Sequence, residues 1–109
     1  MDRDRDDDRI PLRRDELVGL LRAHAAQLRD MGVTSLSLFG SRARGDFRPD
    51  SDLDVLIEYD TSRKFSLIDM VGVQHAIEHL TGLPVQVTTR SSLRESSRSQ
   101  IKRDEVGVF

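Results

Sequence analysis

The sequence predicts an α/β (α+β) domain, a small mixed sheet with helices packed against it. Three observations carry that expectation. Apolar residues recur at helical spacing over Asp15–Met31 and Leu67–Leu80, whereas Val33–Phe39, Leu53–Glu58 and Pro84–Thr89 are short strand-like runs. The two signals alternate in the order α-β-β-α-β-α-β, without an internal repeat. At 109 residues, 37% of them hydrophobic, the chain supplies one core between two layers and no second domain.

Residues 1–12 are dense in charge, the first nine holding five Asp and three Arg, and are expected to be a disordered tail ahead of a folded domain over 13–109. In the first helix Leu17, Leu20, Leu21, Leu28 and Met31 form the apolar stripe, with Asp15 as the expected N-cap and Gly32 as the stop. Val33–Phe39 then alternates, sending Leu36 and Leu38 to one face and Ser35 and Ser37 to the other. Gly40-Ser41 ends that strand, and Arg42-Ala43-Arg44 suits one helical turn before Gly45. The stretch 46–52, charged and interrupted by Pro49, reads as a loop, and Leu53–Glu58 is apolar enough to lie inside a sheet. Polar residues 59–65 lead to a helix marked by Leu67, Met70, Val71, Ile77 and Leu80, with Gly82 just past its end. Pro84–Thr89 is the third strand, Leu93–Arg103 a polar helix and Val106–Phe109 a short edge strand.

Composition excludes several classes. Seventeen basic and nineteen acidic side chains leave a net charge of −2, so nucleic acid is not the expected partner. There is no Cys, which removes disulfide scaffolds, thiol nucleophiles and thiolate metal sites. The longest aliphatic stretch, Val55-Leu56-Ile57, falls far short of the ~20 residues of a membrane span. The charged start lacks an apolar signal core. No membrane association and a cytoplasmic location are expected.

The chemistry concentrates between Gly40 and Asp54. On a strand, residues i and i+2 share a face. Asp52 and Asp54 therefore present two carboxylates side by side, while Leu53 and Val55 point into the core. Two like charges about 6 Å apart repel by about 2.8 kcal/mol at an effective dielectric near 20. A fold that accepts this calls for a compensating cation, and oxygen-only ligands select Mg²⁺ or Mn²⁺ completed by water and phosphate. Gly40 permits close backbone approach, Ser41 adds a hydroxyl, and Arg42 and Arg44 add positive charge one turn away. A phosphate grip beside paired carboxylates on the next strand describes a site for a metal-bound nucleoside triphosphate.

The run Gly40-Ser-Arg-Ala-Arg-Gly-Asp-Phe-Arg-Pro-Asp-Ser-Asp-Leu-Asp-Val-Leu-Ile-Glu58 resembles the signature of the minimal nucleotidyltransferases, small members of the DNA polymerase beta superfamily. The flanking helices and the closing Ile101–Val108 segment extend the resemblance over roughly residues 15–109. It implies a polymerase-beta-like fold and the transfer of AMP from ATP to a hydroxyl, with pyrophosphate leaving. Asp52 and Asp54 would be catalytic and hold the metal, and Gly40 and Ser41 would grip the distal phosphates with Arg42 and Arg44 nearby. It also implies a small helical partner, a HEPN-like toxin, with this chain as the antitoxin. An open site on so small a domain also suggests a neighbour that covers it, whether a second copy or that helical protein.

One position departs from the pattern. The family's third carboxylate belongs to the strand that here reads Val85-Gln86-Val87-Thr88, so Gln86 stands in its place. A carboxamide carries no charge and cannot take a proton from an attacking hydroxyl. Glu58 lies about 13 Å further along the strand by the usual rise. Asp46 and Asp50 are on the loop, and Asp69 is expected to cap the helix it opens. Two readings follow: a metal-dependent nucleotidyltransferase, or a catalytically weakened fold that binds nucleotide or occludes a partner.

Other motifs carry less. His75-Ala-Ile-Glu-His79 matches a zinc-protease string, but the only other histidine is His24, so two exposed helix histidines with Glu78 facing solvent are expected. Asp50-Ser-Asp-Leu-Asp54 opens like a calcium loop but has Val55 and Thr61 where glycine and glutamate are needed. Arg94, Arg98 and Lys102 fall at i, i+4 and i+8, a basic stripe expected to be a solvated helix face.

Overall fold

The computed structural model of the chain describes residues 13–109; the expected tail, 1–12, lies outside the described residues. The elements are α1 (Arg14–Ala23), α2 (Ala25–Asp30), β1 (Val33–Phe39), α3 (Ser41–Arg44), β2 (Leu53–Tyr59), α4 (Leu67–Thr81), β3 (Val85–Thr89), α5 (Glu95–Asp104) and β4 (Val106–Gly107). A single 3₁₀ turn, Arg90–Ser92, joins β3 to the segment before α5. The sheet has the order β3-β2-β1-β4. β1 runs antiparallel to both β2 and β4, whereas β2 and β3 are parallel, with α4 as the crossover that parallel pairing requires. The mixed sheet with helices is the architecture the sequence predicts.

The helical run before β1 is broken, where one continuous helix was expected. His24 leaves helical geometry at φ −109° and ψ 20°. Its ring Nδ1 bonds the Leu20 carbonyl at 3.0 Å, the acceptor its own backbone N–H would have used, and that N–H turns to Leu21 O instead. A side chain that takes a rung of the i→i−4 ladder bends the helix. The bend lets Leu28 bury against the sheet along with Leu17 and Leu21. Asp15 is not the N-cap. The helix begins one residue earlier, with the Arg13 N–H donating to Glu16 Oε1 at 2.9 Å and Asp15 exposed in the first turn.

One sheet face is the core. Leu36, Leu38, Leu53, Val55, Ile57 and Val85 pack against Leu17, Leu21 and Leu28 and against Val73 and Ile77 of α4. The apolar stripe of α4 therefore passes through Val73 and Ile77, while Leu67 is 76% exposed and Val71 is also exposed. Leu67 and Val71 match the helical period, but tertiary packing selects which turn of the stripe meets the sheet. Ser66 and Asp69 cap this helix reciprocally: the Ser66 N–H donates to Asp69 Oδ2 at 2.7 Å and Ser66 Oγ accepts from the Asp69 N–H at 3.4 Å. Glu78 does not simply face solvent, because it accepts from the Val85 N–H at 3.1 Å and so joins α4 to the start of β3.

The other sheet face carries Asp54, Leu56 and Glu58 of β2, Gln86 and Thr88 of β3, and Ser35 and Ser37 of β1. α5 flanks this face and buries no residue of its own. It is held by ion pairs: Arg44 Nη1 to Asp104 at 3.1 Å, and Arg90 to Glu105 just beyond the helix and to Glu58 at 3.2 Å.

Candidate active site

β1 ends at Phe39, whose register partner is Asp54. Gly40 follows with φ +77° and ψ −160°, a conformation open to glycine, and accepts from the Ala43 and Arg44 N–H groups to start the short α3 turn. A methyl group on Gly40 would overlap Asp54 Oδ2 and stand 3.2 Å from its Cγ. The glycine is thus the floor on which the Asp54 carboxylate lies. Both reasons for it, the backbone angle and the close approach, are local to this turn.

Asp52 stands one residue before β2, where the Leu53 N–H bonds Pro84 O at 2.8 Å and opens the parallel pairing with β3. Leu53 and Val55 are fully buried, Asp54 is partly buried and Asp52 is exposed. Neither the Asp52 nor the Asp54 carboxylate accepts a hydrogen bond from another described residue. Burial, and then the Asp52 charge, push the Asp54 carboxyl above its ordinary range, with Arg44 opposing. The Asp54 carboxylate is thus disfavoured in its charged form and joined by no ion pair among the described residues, a state that a cation would relieve.

The residues present fit a divalent cation. The donors are oxygens only, the carboxylate is cradled where a Cβ would intrude, and no third His, Asp or Glu joins the pair among the described residues. Two carboxylates with room for water and phosphate suit Mg²⁺ or Mn²⁺ better than a site closed by protein ligands.

Gln86 is the register neighbour of Asp54 on β3 and is exposed. The position where the resemblance expects a third carboxylate therefore lies beside Asp54. The other acidic side chains weighed from the sequence are mostly engaged. Asp46 pairs with Arg44 at 3.1 Å, Asp69 caps α4, and Glu58 bonds Ser35 Oγ at 3.0 Å and Arg90. Asp50 stays exposed on the loop.

The two arginines separate. Arg44 is exposed and held between Asp46 and Asp104, whose hydrogen bonds raise its pKa. Arg42, expected to lend its charge to a phosphate, is instead fully buried, with Nε on Ser51 O at 3.0 Å and its guanidinium 4.5 Å from the Phe47 ring centroid. The Arg44–Asp104 link and the Glu58–Arg90–Glu105 cluster were not anticipated. Their partners lie 15 to 60 residues apart, and nothing in local spacing marks them. The basic stripe of α5 borders a groove of about 1010 Å³ on the same sheet face, lined by Tyr59, Arg90, Arg98 and Lys102 among others, and Arg94 is exposed before it.

A small mixed sheet with a glycine–serine turn on one strand and paired aspartates on the next defines a class, and comparison with known proteins gives its name: the chain belongs to the nucleotidyltransferase domain family, whose profile it matches over residues 21–106. It is therefore a nucleotidyltransferase. Among relatives, it is 33% identical over 95 residues to the protein adenylyltransferase MntA of Thermococcus cleftensis, covering 86% of this chain and 94% of that one. A solved minimal nucleotidyltransferase is 31% identical, with a TM-score of 0.67, over 82% of this chain and 93% of that one. A toxin–antitoxin structure solved with AMP-PNP shares the fold at 16% identity and a TM-score of 0.65, over 81% and 72%.

Proposed function

We propose that this chain transfers AMP from ATP to a hydroxyl of a partner protein, as the antitoxin half of a toxin–antitoxin pair. The observation that carries the reading is the Asp54 carboxylate, pushed above its ordinary pKa by burial and by neighbouring Asp52, and laid against Gly40 beside a serine turn. The adenylyltransferase name of the MntA relative, at 33% identity, supports AMP as the transferred group. The helical partner is supported by fold relatives solved as toxin–antitoxin assemblies, one with a HEPN toxin bearing AMP groups.

In this reading Asp52 and Asp54 hold Mg²⁺ or Mn²⁺. When bound, the cation neutralises phosphate charge and polarises the reacting phosphoryl group. The chain's own part is positioning. The Ser41 hydroxyl and the amides of the Gly40–Ser41 turn take the distal phosphates, so that pyrophosphate leaves along the α3 side. Arg44 is near enough to Asp54 to act on its charge, and it can turn from Asp46 and Asp104 toward the triphosphate. Gln86, exposed beside Asp54, would orient the acceptor hydroxyl through its carboxamide, and the proton of that hydroxyl would pass to water as pyrophosphate leaves. No described helix is long and apolar enough to cross a membrane, and the reaction is assigned to the cytoplasm, where its nucleotide is found.

The test is label transfer from α-labelled ATP to a co-purified HEPN-type partner, with Mg²⁺ and with chelator. Metal-dependent labelling is expected, with a loss of at least about 100-fold in Asp52→Ala/Asp54→Ala. Labelling that survives the double substitution would overturn the reading. Gln86→Asp, which restores a proton acceptor beside Asp54, is expected to raise the transfer rate by about 10-fold or more.

A further inference from the structure

We infer that Arg42 is a positioning residue for Asp52, fixing the peptide that carries this ligand. The inference rests on the metal-binding reading above.

Arg42 has no exposed surface, an uncommon environment for a guanidinium. Its donors point into the loop that delivers Asp52. Nε bonds Ser51 O at 3.0 Å, and Nη2 reaches Pro49 O at 3.3 Å and Arg48 O at 3.5 Å. Ser51 O is the carbonyl of the Ser51–Asp52 peptide, so the strongest of these contacts sits on the bond immediately before the ligand. Around residues 48–51 the loop is also closed by its own turn, in which the Arg48 N–H donates to Ser51 Oγ at 2.8 Å and the Ser51 N–H to Arg48 O at 3.0 Å, while Asp46 at its start is held by Ser41 O and Arg44. On the far side of Asp52, Leu53 is fixed by β3. Arg42 thus provides the second of two anchors that determine where Asp52 stands.

Charge points the same way. Burial lowers the Arg42 pKa and the Asp52 charge opposes that shift. A guanidinium remains protonated even when buried, so the charge is constant. Nη1 is buried with no hydrogen-bond partner among the described residues, while the Phe47 ring covers the guanidinium. An orphaned donor is costly to keep unless the group serves something beyond stability.

The experiment uses the full chain and reads Mn²⁺ binding from the electron paramagnetic resonance signal of the free ion, alongside ATP binding in chelator and the melting temperature. Arg42→Lys keeps a charge but loses the planar fork. It is expected to weaken Mn²⁺ about 10-fold, as loss of a group that orients a ligand does, while metal-free ATP binding stays within about two-fold. Arg42→Met is expected to weaken Mn²⁺ further. Phe47→Leu removes the ring and leaves every guanidinium donor in place, and is expected to give a smaller loss of the same kind. Unchanged Mn²⁺ affinity in folded Arg42→Lys, with only the melting temperature reduced, would make Arg42 a core tether and overturn the inference. Lost metal-free ATP binding with Mn²⁺ binding intact would make it a phosphate ligand and also overturn it. If both Arg42 variants fail to fold, Phe47→Leu decides: weakened Mn²⁺ supports the inference and unchanged Mn²⁺ overturns it. Wild-type protein that binds no Mn²⁺ would instead defeat the metal-binding reading itself.

Discussion

At the scale of single residues, the site depends on two features that act through each other, Gly40 and Asp54. Gly40→Ala places a methyl group where Asp54 Oδ2 lies and imposes φ +77° on a residue with a side chain. A destabilisation of about 1–3 kcal/mol is expected from backbone strain alone, measured by urea denaturation, together with weakened Mn²⁺ binding from the displaced carboxylate. Asp54 gives the opposite sign. Its pKa is raised in the fold, so its contribution is favourable below the ordinary carboxylate value of 3.8 and is lost as pH rises through the folded value. At neutral pH without metal it is a cost. Asp54→Asn is therefore expected to raise the melting temperature of the metal-free protein and to abolish the further rise expected on adding Mg²⁺ to the wild type. A lower melting temperature in metal-free Asp54→Asn would contradict this. The aspartates and the glycine were legible in the sequence because their spacing defines the strand face. The burial of Arg42 was not, since its acceptors are backbone carbonyls, which no sequence pattern marks.

At the scale of elements, α4 and the broken first helix show where periodicity succeeds and where it misleads. Ser66 and Asp69 cap α4, as Asp69 was expected to do. Ser66→Ala is expected to cost about 1 kcal/mol by chemical denaturation. Hydrogen bonds from the Ser66 backbone and hydroxyl hold the Asp69 carboxyl below its ordinary value. That part of the capping is present above pH 3.8 and fades as pH falls through the folded value. The strands were placed within a residue or two, because alternation and β-branched content act locally. The kink at His24 was hidden because apolar spacing continues across it, and only the competition for the Leu20 carbonyl breaks the ladder. Likewise Leu67 and Val71 satisfy the helical pattern yet remain 76% and 42% exposed, because the core is met by Val73 and Ile77 instead.

For the molecule as a whole, α5 is held differently from the rest. The core face is apolar and continuous, and β4 pairs with β1, whereas α5 is attached to the other face through charges at its C-terminal end. Burial raises the Glu105 pKa, but hydrogen bonds to Arg90 and Ser37 outweigh it and the net shift is downward. The attachment is therefore present above the ordinary value of 4.5 and lost as pH falls through the folded one. Glu105→Gln is expected to speed amide exchange in α5 at neutral pH while leaving β1 and β2 protected, as a locally opening unit would behave. Equal acceleration across the sheet would show that α5 is not separately attached. The charges on Arg90, Glu58 and Glu105 were visible in the sequence, but their pairing depends on β3 and the C-terminal segment meeting on one face.

The sequence alone determined the mixed α/β class, the sequence order of its elements, and the placement of Asp54 on the strand face opposite buried Leu53 and Val55. Each depends on near-neighbour geometry, on the two-residue repeat of a strand or the chemistry of one side chain. Tertiary structure alone decided the strand order, the contact of Asp54 with Gly40, the inward turn of Arg42 and the ion pairs that hold α5. Those depend on segments far apart in the chain arriving at the same place. Burial and charge there act on whatever neighbour the fold supplies, which local spacing does not encode.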